Sequence, residues 1–115
     1  MYPVEKIPDT DKLYRRVHKT FVINGELIPI AFRENDGGMS TDWEKYSTPE
    51  QARLRAKKNP GLNGIVSLVA GELRNIDLKV VHSPTHNHQS HADVIGVDTE
   101  SRLLLLEIYT WEIRV

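Results

Sequence analysis

Short apolar runs separated by turn residues alternate along this chain, and their spacing predicts a mix of strands and helices. Leu13 to Val17 is short, carries Tyr14 and Val17, and reads as a first strand. Phe21-Val22-Ile23 and the run from Leu27 to Phe32 flank Asn24-Gly25. Asn-Gly between apolar runs signals a hairpin, because both central positions of a type I′ turn need positive φ. Pro29 has no amide to donate, so the second strand belongs at an edge or a bulge. Arg33 to Gly38 is a loop by composition, and Met39 to Trp43 reads as another short strand. Ser47-Thr48-Pro49-Glu50 is a helix start, with hydroxyl caps, proline at the first helical position and an acid in the first turn. That helix is expected to run to about Lys58 and to stop at Asn59-Pro60-Gly61.

Further on, Ile65, Val66, Leu68, Val69, Leu73 and Ile76 fit one helical face, so most of 64–75 is expected as helix, although the β-branched residues also permit a strand. Leu78 to His82 and His91 to Val97 read as antiparallel strands joined by a broad loop. Asp98 or Thr99 caps a last helix reaching roughly Tyr109, and Trp111 to Val115 closes as an edge strand. The expected class is α+β: one domain over residues 1–115, with a small, mainly antiparallel sheet and two to three helices packed on one face. Residues 1–11 are expected as an irregular lead-in.

Charge changes the functional picture more than the fold. Fifteen Lys+Arg face sixteen Asp+Glu, a net charge of −1, which argues against nucleic acid as a direct ligand and against a polybasic membrane anchor. The chain has no cysteine, which removes disulfides, thiolate nucleophiles and Cys-ligated zinc. No apolar stretch approaches the roughly 20 residues of a membrane span, and a cytoplasmic location is expected.

One segment carries most of the candidate chemistry. Four of the five histidines fall between His82 and His91, and Asp93 follows. In an extended segment His86 and His88 would point to the same side, roughly 7 Å apart, which suits a shared metal ion. His86, His88 and His91 are therefore candidate ligands for zinc or another divalent transition metal, with Asp93 as a fourth. The same stretch resembles the HxHxDH signature of metallo-β-lactamase-fold hydrolases, but Ser90 stands where that signature has aspartate and the chain is too short for that fold. His91 opens a strand, so its imidazole is positioned, and Asp93 on the same face would orient it or accept its proton. Asp42 is an alternative base or orienter. Arg15 and Arg16 are neighbours, so on a strand they face opposite ways and one of them can clamp an anion. His82 is expected to be structural.

Leu13-Tyr-Arg-Arg-Val17, Ala31-Phe32, Met39-Ser-Thr-Asp42, Ala70-Gly71-Glu-Leu-Arg74, Val80, Pro84, Ser90-His91-Ala92 and Gly96 together resemble a group of small bacterial proteins. These share an arginine-pair start, a Met-Ser-Val/Thr segment and a Pro-x(n)-His-Ala-x-Val-x-Gly stretch. The resemblance spans about residues 13–111. It carries an equivalent of His91 but not of His86 or His88, and it transfers no activity. It implies a bacterial, defence-linked, multi-protein setting.

Three readings follow. In the first, the chain is a small accessory module with a protein partner, homo-oligomer included. In the second, it is a hydrolase or phosphotransfer enzyme with His91 as general acid/base, Asp93 or Asp42 as its orienter and Arg15 or Arg16 as the anion clamp. In the third, it binds a transition metal through His86, His88 and His91.

Overall fold

The chain runs through β1 (Lys12–His18), β2 (Val22–Ile23), β3 (Glu26–Leu27), β4 (Met39–Trp43), α1 (Pro49–Leu54), β5 (Asn63–Val69), α2 (Ala70–Asn75), β6 (Lys79–His82), β7 (His91–Ile95), α3 (Thr99–Ile108) and β8 (Thr110–Ile113). This is a computed structural model describing residues 1–115. Six strands form one sheet in the order β6-β7-β4-β1-β5-β8, every neighbouring pair antiparallel. The architecture is α+β.

Local chemistry explains most boundaries. Asn24 and Gly25 take φ of 54° and 80°, and the β2–β3 hairpin closes over them as a separate two-stranded ribbon. Thr48 caps α1 in a capping box with Gln51, with Pro49 at the first turn, and Asp98 caps α3 with Ser101. β8 is an edge strand. Close to it, a Cβ on Gly64 would lie 2.6 Å from the Ile113 carbonyl oxygen, so no larger residue fits there without moving β8.

Three expectations are corrected. Residues 63–69 form a strand, and helix is confined to Ala70–Asn75. The reason is burial on both faces: six consecutive residues of β5 are buried, so the apolar run has no strand alternation to display. The run after the Asn-Gly turn is strand only at Glu26–Leu27, and Pro29–Phe32 is a 3-10 turn that buries Ala31 and Phe32. α1 ends at Leu54 instead of near Lys58, leaving Arg55 to Lys58 outside it. The lead-in is irregular as expected, yet it is packed: Ile7 is 1% exposed and belongs to the core.

The sheet has two unlike faces. Leu13, Val17, Met39, Trp43, Val66, Leu68, Ala92 and Val94 join a core of 17 buried residues. α2 covers this face with Ala70 and Leu73, α3 with Leu105, and the 3-10 turn with Ala31 and Phe32. On the opposite face, Tyr14 and Ile65 pack against Ala52 of α1 in a small second cluster. α1 touches β1, β5 and β8, and the β4–β7 part of that face stays open.

Candidate functional site

Alternation along the strands sorts the polar residues. Tyr14 pairs with Asp42, Asp42 with His91, and Ser40 with Asp93, so Ser40, Asp42, His91 and Asp93 all stand on the open face. Arg16 and His18 follow Tyr14 on that face of β1. The β1–β4 ladder covers only Leu13–Trp43 and Tyr14–Asp42. Past that point Arg15, on the core side, donates from Nη1 to the Ser40 carbonyl at 3.0 Å and from Nε to the Ala31 carbonyl at 3.2 Å. Its side chain thus bonds a β4 carbonyl that the ladder no longer reaches.

A cleft of about 520 Å³ lies over the open face. Five cationic residues line it, Arg15, Arg16, Arg55, Lys57 and Lys58, against one carboxylate, Asp42. His18, His88, His91 and Ser40 line it as well. The cations of 55–58 reach the cleft because α1 stops at Leu54. Arg55 is tied down by Asp42 at 3.1 Å and by the Ser47 hydroxyl at 2.9 Å. Asp42 also accepts from the Ser90 hydroxyl at 2.7 Å. Arg16 donates to the Ala52 carbonyl of α1 at 3.2 Å.

His91 is held in one orientation. Its Nδ1 lies 2.9 Å from the Ser83 carbonyl oxygen, which can only accept, so Nδ1 carries the proton. Nε2 faces the cleft, 3.5 Å from Ser40 Oγ and 3.7 Å from Asp93 Oδ1. In the neutral ring Nε2 is therefore the proton acceptor, and Asp93 is placed to stabilise the imidazolium once Nε2 is protonated.

Electrostatics around Arg15 are one-sided. Burial pushes its guanidinium down to about 10, and the neighbouring positive charges of Arg16 and Arg33 push the same way. It stays charged at neutral pH, bonded to carbonyl oxygens and to no carboxylate.

The structure therefore sets Arg15, Arg16, Asp42 and His91 along one cleft and places Asp93 beside Nε2 of His91. It does not gather His86, His88 and His91 as metal ligands: no three His, Asp or Glu side chains are arranged to hold a metal ion. Thr85 and His88 exchange backbone hydrogen bonds at 3.0 and 3.2 Å, so His86 and Asn87 form the tip of a tight turn. The two-residue spacing of an extended segment, on which the shared-ligand expectation rested, does not hold there. His82 is structural: it is 2% exposed, accepts from the Glu5 amide at 2.9 Å, donates to the Gln89 carbonyl at 2.7 Å, and meets Trp43 edge-on.

Ser40, Arg55, Lys57 and Lys58 line the cleft without being among the candidate site residues named from the sequence. Strand alternation through Met39-Ser-Thr-Asp-Trp43 was the available signal for Ser40, since it shares a face with Asp42. From the sequence Arg55, Lys57 and Lys58 read as part of a basic, solvated helix face, and their placement at the cleft depends on where α1 ends.

No helix is long and apolar enough to cross a membrane. No protein-family model matches the chain, and no curated protein or solved structure matches it either, so the chemistry of this cleft rests on its geometry.

Proposed function

We propose that this chain is a hydrolase or phosphotransfer enzyme acting on a phosphate-bearing substrate in the cleft over β1, β4 and β7. One observation carries the reading: a histidine whose Nε2 meets Ser40 and Asp93 stands in a cleft lined by five cationic residues and, as its one lining carboxylate, Asp42. Arg16 and the cations of 55–58 hold the anion, because guanidinium and ammonium groups supply charge-assisted hydrogen bonds to phosphate oxygens. His91 is the general acid/base, Asp93 its charge partner at 3.7 Å, and Asp42 the residue that fixes Arg55. Arg15 ties β1 to the Ser40 and Ala31 carbonyls at the edge of the site. A cytoplasmic setting fits a chain without cysteine.

The test is hydrolysis of p-nitrophenyl phosphate and bis(p-nitrophenyl) phosphate, with inorganic phosphate binding followed by calorimetry. Turnover that falls in His91→Ala, with phosphate binding that falls in Arg16→Ala, supports the reading. Absence of both turnover and phosphate binding overturns it. Retained binding without turnover favours the accessory-module reading, which has its own support. Val81 and Ile95, 38% and 36% exposed, continue the cleft face beyond Asp93 and offer apolar contact to a protein partner.

A further inference from the structure

The geometry points to Ser40 as a covalent nucleophile, an inference that rests on the phosphate-transfer reading of the same cleft. Ser40 is exposed on β4, and its Oγ lies 3.5 Å from Nε2 of His91. A nucleophile, a base within reach and a third group that orients the base are the parts an activated hydroxyl needs. Here the third group is the Ser83 carbonyl, which holds the proton on Nδ1 and leaves the Nε2 lone pair toward Ser40. Contacts of this kind are often long before substrate arrives and tighten in the complex. Ser40 is itself held from the backbone side, since its carbonyl accepts from Arg15 at 3.0 Å. Its neighbours in the cleft include the cations that would stabilise charge on a transferring phosphoryl group.

The steps balance. Nε2 takes the Ser40 Oγ proton as the Oγ–P bond forms and the substrate P–O bond breaks, and the departing alkoxide takes that proton back from Nε2. Water then attacks the phosphoserine and gives its proton to Nε2. The P–Oγ bond breaks, phosphate leaves, and Nε2 returns the proton to Oγ. Asp93, 3.7 Å from Nε2, stabilises the imidazolium in both halves.

A fluorophosphonate probe tests this directly, because attack by Oγ expels fluoride and leaves a stable phosphorus ester that mass spectrometry locates. The expected result is one label per chain on Ser40, none in Ser40→Ala, and labelling slowed about 10²-fold or more in His91→Ala. His86→Ala, on the exposed turn, should label like the parent chain. A label elsewhere, no label, or labelling indifferent to His91→Ala overturns the inference. Turnover of p-nitrophenyl phosphate in Ser40→Ala separates the two claims. If it persists and still needs His91, water is the nucleophile and the enzyme reading stands without Ser40. Absence of both turnover and phosphate binding in the parent chain would remove both claims.

Discussion

His82 and His91 lie nine residues apart on paired strands, and the two faces of the sheet give them opposite surroundings. His82 pairs with Ala92 and points into the core, where both ring nitrogens are occupied and Trp43 and Tyr46 pack against the ring. His91 pairs with Asp42 on the other face, where one nitrogen is held and the other meets the cleft. Arg15 and Arg16 repeat the contrast one residue apart: one bonds backbone carbonyls on the core side, the other stands over the open face. On the covered face His82 and Arg15 spend their polar atoms on neighbouring backbone groups. The half-covered face leaves donors and acceptors free to meet a ligand. Residue type therefore says less about function here than the parity of a position along its strand.

Substitutions can break this contrast, and the covered face should give the largest loss of stability. Trp43→Ala removes a side chain that is 1% exposed and should destabilise by about 3–5 kcal/mol in chemical denaturation, as large-to-small changes in a core do. A smaller loss would mean that the core closes over the cavity.

The paired histidines are the sharpest comparison. His91→Ala should lower phosphoester turnover by about 10²–10⁴-fold while the denaturation midpoint stays nearly constant. His82→Ala should do the reverse, losing about 1–3 kcal/mol of stability because the Glu5 amide and Gln89 carbonyl lose their partner, with turnover per folded molecule preserved. Equal effects in both assays for both variants would dissolve the distinction between the faces.

Among the arginines, Arg15→Met should destabilise by about 1–3 kcal/mol, since it strips donors from the Ala31 and Ser40 carbonyls. Arg16→Met should leave stability within about 1 kcal/mol yet abolish the rise in melting temperature that phosphate produces by binding the folded state. A phosphate-induced rise that survives Arg16→Met would shift the clamp to Arg55, Lys57 and Lys58.

The smallest effect concerns a helix end remote from both histidines. Asp98→Ala should lower the denaturation midpoint slightly by removing the cap of α3. Hydrogen bonds from the Ser101 amide and hydroxyl hold the Asp98 carboxyl below its ordinary range. A carboxyl depressed in the folded state stabilises above its unfolded value and loses that contribution as pH falls through the lower folded value. The parent chain and Asp98→Ala should therefore differ at neutral pH and converge in acid, which denaturation at a series of pH values checks.

Much of the fold was legible because its signals are local. Asn24-Gly25, the Thr48-Pro49 start and the Asp98 cap act through a few adjacent bonds, and the structure shows each of them. β5 was not legible, because a strand buried on both faces has lost the alternation that distinguishes strand from helix. The site was legible in part. His91, Asp93, Asp42 and Arg16 could be named from strand parity, and they do share a face. The even overall charge concealed a cleft with five cationic residues and one acidic residue, because a sum over the chain says nothing about where the charges gather.

By itself the sequence determined the α+β class, the turns and caps, and which neighbours along a strand must face opposite ways, since all of these follow from backbone sterics and short-range bonding. Tertiary structure alone decided that β1 and β4 part after Tyr14, that α1 stops short so that Arg55 to Lys58 reach the open face, and that the Ser83 carbonyl sets the tautomer of His91. Each of these depends on contact between residues far apart in the chain, or on the shape of a folded loop. No local preference encodes such contacts.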